Sequence, residues 1–260
     1  MRMFKQTVLF GCAAVSSVYC FADDAEAKKI ETSGNISVVS KYISRGLTNA
    51  PENDDVALQA ALNLAYGNFY VGYWGSTLGY SYPELEGKKS HRRDKFEHDF
   101  IVGYTYSSEN YDWNFWDATY YYPGGSHTTS NELGLNVSRA LNDKTSVTAG
   151  VSTYLYDVAY ANQGDTFYTL DLTHQLNDKL GAHVGAAGGY FNDEGKYEGN
   201  ELGNTTKQHA FRYATAGLSY EVAPKLTLSG DYIFGGYDRF GDKQRDLAVF
   251  GIGYANLNLK

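Results

Sequence analysis

Residues 62–76 read LNLAYGNFYVGYWGS. Leu62, Leu64 and Tyr66 alternate with Asn63 and Ala65, Gly67-Asn68 interrupts, and Phe69, Val71 and Tyr73 resume the alternation. A period of two is the signature of an extended strand, because successive side chains point to opposite faces. Two such runs on either side of a Gly-Asn pair predict a β-hairpin. No continuous apolar run is ever built, so this hairpin expects surroundings that want one greasy face only.

The same alternation recurs along the chain. Twelve extended segments are expected, at about 35–46, 55–66, 69–79, 95–107, 110–122, 130–140, 145–156, 166–176, 180–191, 209–221, 225–235 and 246–258. Their links fall into two alternating classes. Tight turns (YGNF, SSEN, LNDK at 141–144, LNDK at 176–179, VAPK at 222–225) separate longer polar loops such as SYPELEGKKSHRRD and FNDEGKYEGNELGNTTKQ. That rhythm predicts an all-β, up-and-down antiparallel transmembrane barrel of about twelve strands, with short turns at the periplasmic rim and long loops outside. A Greek-key sandwich would scatter its loop lengths.

The strand faces agree. Val147, Ala149, Val151 and Leu155 oppose Ser146, Thr148, Gly150 and Ser152, while Tyr168, Leu170, Leu172 and Leu176 oppose Thr169, Asp171, Thr173 and Gln175. One set suits lipid; the other is small and polar, which leaves room inside a closed barrel. Tyr66, Phe69, Tyr106, Tyr111, Trp113, Tyr120, Tyr121 and Tyr122 gather near segment ends, where amphipathic rings suit a membrane interface. Asp117 breaks the pattern: alternation aims it at lipid, and a bulge or a rim position is expected to relieve it.

Composition bounds the rest. The chain has 28 Gly and 24 Tyr, and its mean hydropathy of −0.43 is too polar for a helical membrane protein. Arg2 and Lys5, an apolar stretch to about Val18 and small residues up to Ala22 read as a secretory signal cleaved after Ala22, leaving residues 23–260 as the barrel domain. Cys12 and Cys20 both lie in that signal, so the processed chain is expected to carry no disulfide or thiolate metal site. Taking Arg2 and Lys5 from the 22 basic residues leaves 20 against 30 acids, a net charge of −10, which argues against nucleic-acid binding.

The stretches SVVSKYISRGLTN and VALQAALNLAYGNFYVGYWGS, with ATYYYPGG further on, resemble the TorF-type porin family, most specifically over Ser37–Ser76 and Tyr120–Gly124. The resemblance implies a bacterial outer-membrane barrel expected to act as a channel, with no substrate and no catalytic residues to carry over. Lys260 departs from the terminal aromatic by which the barrel assembly machinery commonly recognises a last strand, so Phe250, Ile252 and Tyr254 are the expected signal.

Alternation points Lys41, Arg45, Glu97, Asp99, Glu132, Asp171, His183 and Asp231 inward, as candidate pore-lining residues with a mild preference for cations. Arg45 and Lys41 pairing with nearby carboxylates to tie the wall is the competing reading. Lys88, Lys89, His91, Arg92, Arg93 and Lys95 form a basic loop; Lys88, Lys89, Arg92, Arg93 and Lys95 are candidates to meet lipopolysaccharide phosphates, alongside the reading of a merely solvated loop. The acidic loop NDEGKYEGNE has no calcium-binding spacing. No His has a Ser two residues along its strand, a cross-strand pair being the alternative left open, and no phosphate loop, zinc or dinucleotide motif occurs, so no enzyme, cofactor or metal is expected. The expected function is passive diffusion of small polar solutes or ions across the outer membrane. The alternatives are a plugged barrel acting as an adhesin or structural anchor through its loops and, third, a secreted sugar-binding sandwich.

Overall fold

The computed structural model describes residues 29–49, 54–197 and 205–255; the expected signal peptide lies outside them. Twelve strands form one closed antiparallel barrel: β1 (Ile30–Val39), β2 (Ala57–Tyr66), β3 (Phe69–Thr77), β4 (Phe96–Ser107), β5 (Asp112–Tyr121), β6 (Ser130–Asn142), β7 (Thr145–Tyr154), β8 (Thr166–Gln175), β9 (Leu180–Tyr190), β10 (His209–Ala223), β11 (Leu226–Gly235) and β12 (Leu247–Ala255). Each strand pairs with its neighbours in sequence, and β12 closes on β1 with Val38 opposite Ile252. Closure leaves no sheet edge, the condition for strands to cross hydrocarbon, where each unmade backbone hydrogen bond costs several kcal/mol.

Local chemistry explains the turns. Gly67 takes φ 58°, a left-handed conformation that a Cβ would disfavour, and lets Tyr66 pair with Phe69 across the opening hairpin. In the second LNDK turn, Asn177 Oδ1 accepts from the backbone N–H groups of Lys179 and Leu180, each at 3.0 Å. In the first, Asn142 Oδ1 accepts from Lys144 N–H at 3.0 Å. The short side chain thus supplies the acceptor that a two-residue turn leaves missing.

The exterior carries the expected belt. Leu58, Leu62, Leu64, Val71, Phe100, Val102, Leu170, Leu218 and Phe250 all stand exposed on the outer face. Exposed Tyr66, Phe69 and Tyr106 flank it near the turns, as interfacial anchors. A ring of greasy residues outside a closed cylinder is stable only where acyl chains solvate it. The chain is therefore a transmembrane barrel of the outer-membrane type.

Three differences from the alternation have physical causes. β1 ends at Val39, earlier than expected, so Lys41 and Arg45 lie in the loop that follows. Tyr120 and Tyr122 face inward: Tyr120 falls on the same side of β5 as buried Ala118, and its hydroxyl donates to Glu132 at 2.6 Å, while Tyr122 donates to Glu97 at 2.7 Å. Asp117 is not re-aimed by a bulge. It pairs in unbroken register with Val102 and Leu133 and keeps to the outer face, where Asn131 Nδ2 donates to it at 2.9 Å.

Inside, the two halves differ. Toward the long loops, Val39, Tyr42, Ala57, Leu78 and Tyr122 pack with Trp74, Tyr82, Tyr120 and Tyr160 into an aromatic cluster, beside a second one of Tyr154, Val158 and Ala161. Toward the turns a third cluster, buried Ala65, Tyr70, Ile101 and Ala118 with Trp74 and Trp116, lies among smaller, half-buried inward residues, Asn63, Asn114, Asn136 and Thr169, and glycines. Gly134 shows what such a glycine does, because any Cβ there would run into the Trp116 indole.

Candidate functional site

The loop after β1 bars the extracellular half of the lumen. Ser40 still holds the wall, donating from its N–H to Phe250 O at 2.7 Å. The chain then turns inward through Arg45 (φ 49°) and Gly46 (φ 74°). Arg45 carries a left-handed conformation that non-glycine residues rarely adopt, and Gly46 sits so close to the Tyr213 ring of β10 that a side chain there would collide. From this turn Arg45 reaches the far wall. Its Nη1 and Nη2 donate to Glu132 Oε1 and Oε2 on β6 at 2.9 and 2.6 Å. The guanidinium lies over Phe167 at 4.3 Å and Tyr154 at 5.0 Å. A planar, two-pronged donor over aromatic faces is the geometry that suits arginine and not lysine.

Two further arginines enter, one from the wall and one from another loop. A register shift between Phe211 and Tyr213 inserts Arg212 into β10 and turns it inward. Its Nη1 donates to Tyr237 O at 2.5 Å and its Nη2 to Arg45 O at 3.1 Å, so it grips the backbone of the barring loop. Arg239, from the loop between β11 and β12, pairs with Asp165, which also accepts from the N–H groups of Asn162 and Asn192 at 2.9 and 2.8 Å. Burial raises the Asp165 pKa, against the pull of Arg239 and those two donors. Both arginines lie against Phe191, at 5.3 and 5.0 Å.

Toward the turns, β8, β9 and β11 contribute Asp171, His183 and Asp231. His183 Nε2 lies 2.7 Å from Asp231 Oδ1, and the pair spans the intervening β10 at Gly217, where a Cβ would strike both side chains. Gly185 makes the same allowance for Asp171. Among the described residues no group of His, Cys, Asp or Glu could hold a metal ion.

Of the expected pore-lining residues, Glu97, Asp99, Glu132, Asp171, His183 and Asp231 all face inward, but Glu97, Asp99, Glu132 and Asp231 are buried in side-chain packing and only Asp171 and His183 keep partial exposure. Lys41 is a correction. It sits outside the strand and pairs with Asp54 at 2.7 Å, whose carboxyl is 64% exposed; Arg245 Nη2 approaches the same carboxyl at 3.5 Å. The hydrogen bond from Lys41 holds Asp54 below the usual carboxylate range.

The basic loop is partly self-neutralised. Lys88 pairs with Glu86, Lys95 with Glu84 at 2.9 Å, and Arg93, 83% exposed, approaches Asp94 at 3.7 Å; Lys89 and Arg92 are exposed. The Lys88 hydrogen bond depresses the Glu86 pKa. Glu86 and Lys88 also tie this loop to the next long one, at Ser126.

Alternation missed Arg212, Arg239 and Asp165. The first is hidden by the bulge, which breaks the period of two. The others lie in loops, where periodicity carries no information about direction. A usable signal was present for Arg212 alone: an arginine flanked by aromatics within the strand FRYATAGLSY, in a position too costly for lipid.

Solved structures share this architecture. The KdgM porin is 8% identical, with 86% of this chain and 98% of that one covered at a TM-score of 0.55. The NanC porin is 13% identical, with 86% and 100% covered at a TM-score of 0.51. At such identities the likeness is one of fold. No curated protein matches the chain. A family model described as "Bacterial protein of unknown function (Gcw_chp)" matches residues 23–233, most of the sequence, and the chain belongs to that family. Closed barrel, apolar belt and fold together place the chain in the bacterial outer membrane.

Proposed function

We propose that this member of the Gcw_chp family is a TorF-type, porin-like channel that passes small polar solutes passively, with the inward loop at Arg45 setting its bore. The observation that carries this reading is the Arg45–Glu132 bridge, which joins a loop from one wall to a strand of the other across the lumen. Porin-like folds at TM-scores above one half support it. A constriction built from a folded-in loop selects by size and by the charges it leaves accessible.

The lumen carries both signs. Asp171 and Asp231 with His183 face its periplasmic half, and Arg45, Arg212 and Arg239 with Glu132 and Asp165 its extracellular half. The arginines offset part of the acidic excess that favoured cations, and the half-buried Asp171 keeps a weak cation preference in the periplasmic vestibule. No step of this function asks a side chain for covalent chemistry. The processed chain inserts with the help of the barrel assembly machinery, which reads the outer face of β12 at Phe250, Ile252 and Tyr254, all exposed.

A second reading has its own support. The buried Tyr42, Tyr122 and Tyr154 fill the extracellular mouth, which suits a plugged barrel that works through its loops. Swelling of proteoliposomes in a graded series of neutral sugars separates the two. A channel swells them with rates that fall as solute size rises, whereas a plugged barrel matches empty liposomes for every sugar.

A further inference from the structure

Asp117 stands in the outer wall, on the side that meets lipid, and it is not alone. Asn131 Nδ2 donates to Asp117 Oδ1 at 2.9 Å and to Thr119 Oγ1 at 2.8 Å, while the Tyr156 hydroxyl donates to Asn131 Oδ1 at 2.7 Å. Thr153 and Thr166 add a hydroxyl pair at 3.1 Å on the adjoining strands. All of these side chains lie on outward positions of β5 to β8 or just beyond them, toward the long-loop end. Among the described residues nothing donates to Asp117 Oδ2.

This patch is densest on one side. Near the long-loop ends of the opposite wall, outward Phe234 on β11 and Val38 on β1 are exposed and apolar; the outward polar groups elsewhere, the Tyr73–His98 pair on β3 and β4 and exposed His209 on β10, carry no carboxylate. Rings and hydroxyls at that height suit the membrane surface, whereas a carboxylate facing hydrocarbon is costly and marks a binding position by default.

The adjacent surface indicates which partner. Glu86 and Lys88 tie the basic loop to Ser126, in the β5–β6 loop that leads directly down to Asn131. The loop that carries exposed Lys89, Arg92 and Arg93 is therefore joined to the long loop above Asp117's wall. Cations above and hydrogen-bond acceptors below match an amphiphile with phosphates at its head and hydroxyl or amide donors at the start of its chains.

We propose that the outer face of β5 to β7 is a docking site for a phosphorylated, hydroxylated glycolipid of the outer leaflet, with lipid A as its simplest form. Lys89, Arg92 and Arg93 take the phosphates. Asp117 Oδ2 accepts from a hydroxyl or amide of the lipid, held in position by Asn131 and, through it, by Tyr156. The site does not depend on whether the lumen conducts.

Native mass spectrometry of the folded barrel released from detergent, with lipid A or phosphatidylglycerol added, tests this. The wild-type chain is expected to retain lipid A in preference to phosphatidylglycerol. Asp117→Leu, and separately Lys89→Glu with Arg93→Glu, are expected to weaken lipid A retention by about tenfold each, with phosphatidylglycerol retention unmoved by Asp117→Leu. Heat-dependent gel mobility certifies that each variant is folded, and Asp117→Asn, which keeps an acceptor oxygen, is expected to retain more than Asp117→Leu. Equal retention of lipid A by wild type and Asp117→Leu overturns the proposal. So does equal retention of both lipids by the wild type, or a dimer of the barrel that Asp117→Leu abolishes, which would make the patch an interface between copies.

Discussion

Arg45 and Glu132 meet through two hydrogen bonds of 2.9 and 2.6 Å, one partner from the loop after β1 and the other from β6 on the far side of the barrel. Glu132 is fully buried, so its charge is supported by the groups around it: Arg45 and the Tyr120 and Ser152 hydroxyls. The bridge decides where the loop lies.

Arg45→Ala therefore has two effects. It leaves Glu132 buried without its counter-charge, at a cost of about 3–5 kcal/mol if the carboxylate stays ionised, and it frees the loop from the far wall. A lower denaturant midpoint in refolding titrations, together with faster sugar entry into proteoliposomes, is the expected pair of results. Glu132→Gln, which keeps the shape and one acceptor, is expected to lose less stability than Arg45→Ala.

Arg212 fixes the same loop from behind, through the Arg45 carbonyl. Its substitution by Lys, which lacks the fork, is expected to raise the fluctuation of the open-channel current more than its mean. Noise analysis of bilayer recordings measures this.

The glycine at 134 exists for Trp116. Gly134→Ala drives a methyl group into the indole and is expected to cost about 1–3 kcal/mol, as overpacking does. Chemical unfolding in lipid vesicles checks the figure; the same change at Gly188, which faces outward with only Ala210 O within 4 Å of its added Cβ, is expected to be near neutral.

In the periplasmic half, Asp171 and Asp231 hold the acidic charge near His183. Asp171→Asn with Asp231→Asn is expected to move the zero-current potential in a potassium chloride gradient toward the chloride side, by electrostatics alone. No movement would show that neither carboxylate faces the ion path.

Glu86 bridges two extracellular loops through Ser126. Its folded pKa is depressed, so the bridge is present at neutral pH and is lost as the pH falls through that lowered value. Glu86→Gln is expected to speed tryptic cleavage at Lys88, Lys89 and Arg92 at neutral pH; unchanged cleavage would mean that the bridge does not order the loop.

Much of this architecture is legible in alternation. Leu62, Leu64, Val71 and Tyr168 announce their lipid face, and Glu97, Asp99, Glu132, Asp171, His183 and Asp231 their inward one, because a strand has only two sides. The interior of the mouth is not legible in the same way. Arg45 leaves β1 for a carboxylate on β6, Arg239 finds Asp165 from another loop, and Tyr120 turns to Glu132 rather than to the interface. Those directions depend on long-range charge pairs, and Arg212 depends on one inserted residue that shifts the phase. Asp117 is the opposite lesson: strict alternation was right, and the relief that a bulge was expected to give comes from Asn131 instead.

Single-channel recording of the refolded, processed barrel in a planar bilayer tests the central claim most directly. Discrete, uniform conductance steps that enlarge in Arg45→Ala are the predicted result. A folded, inserted barrel that shows no steps in either the wild-type or the Arg45→Ala form would contradict the channel.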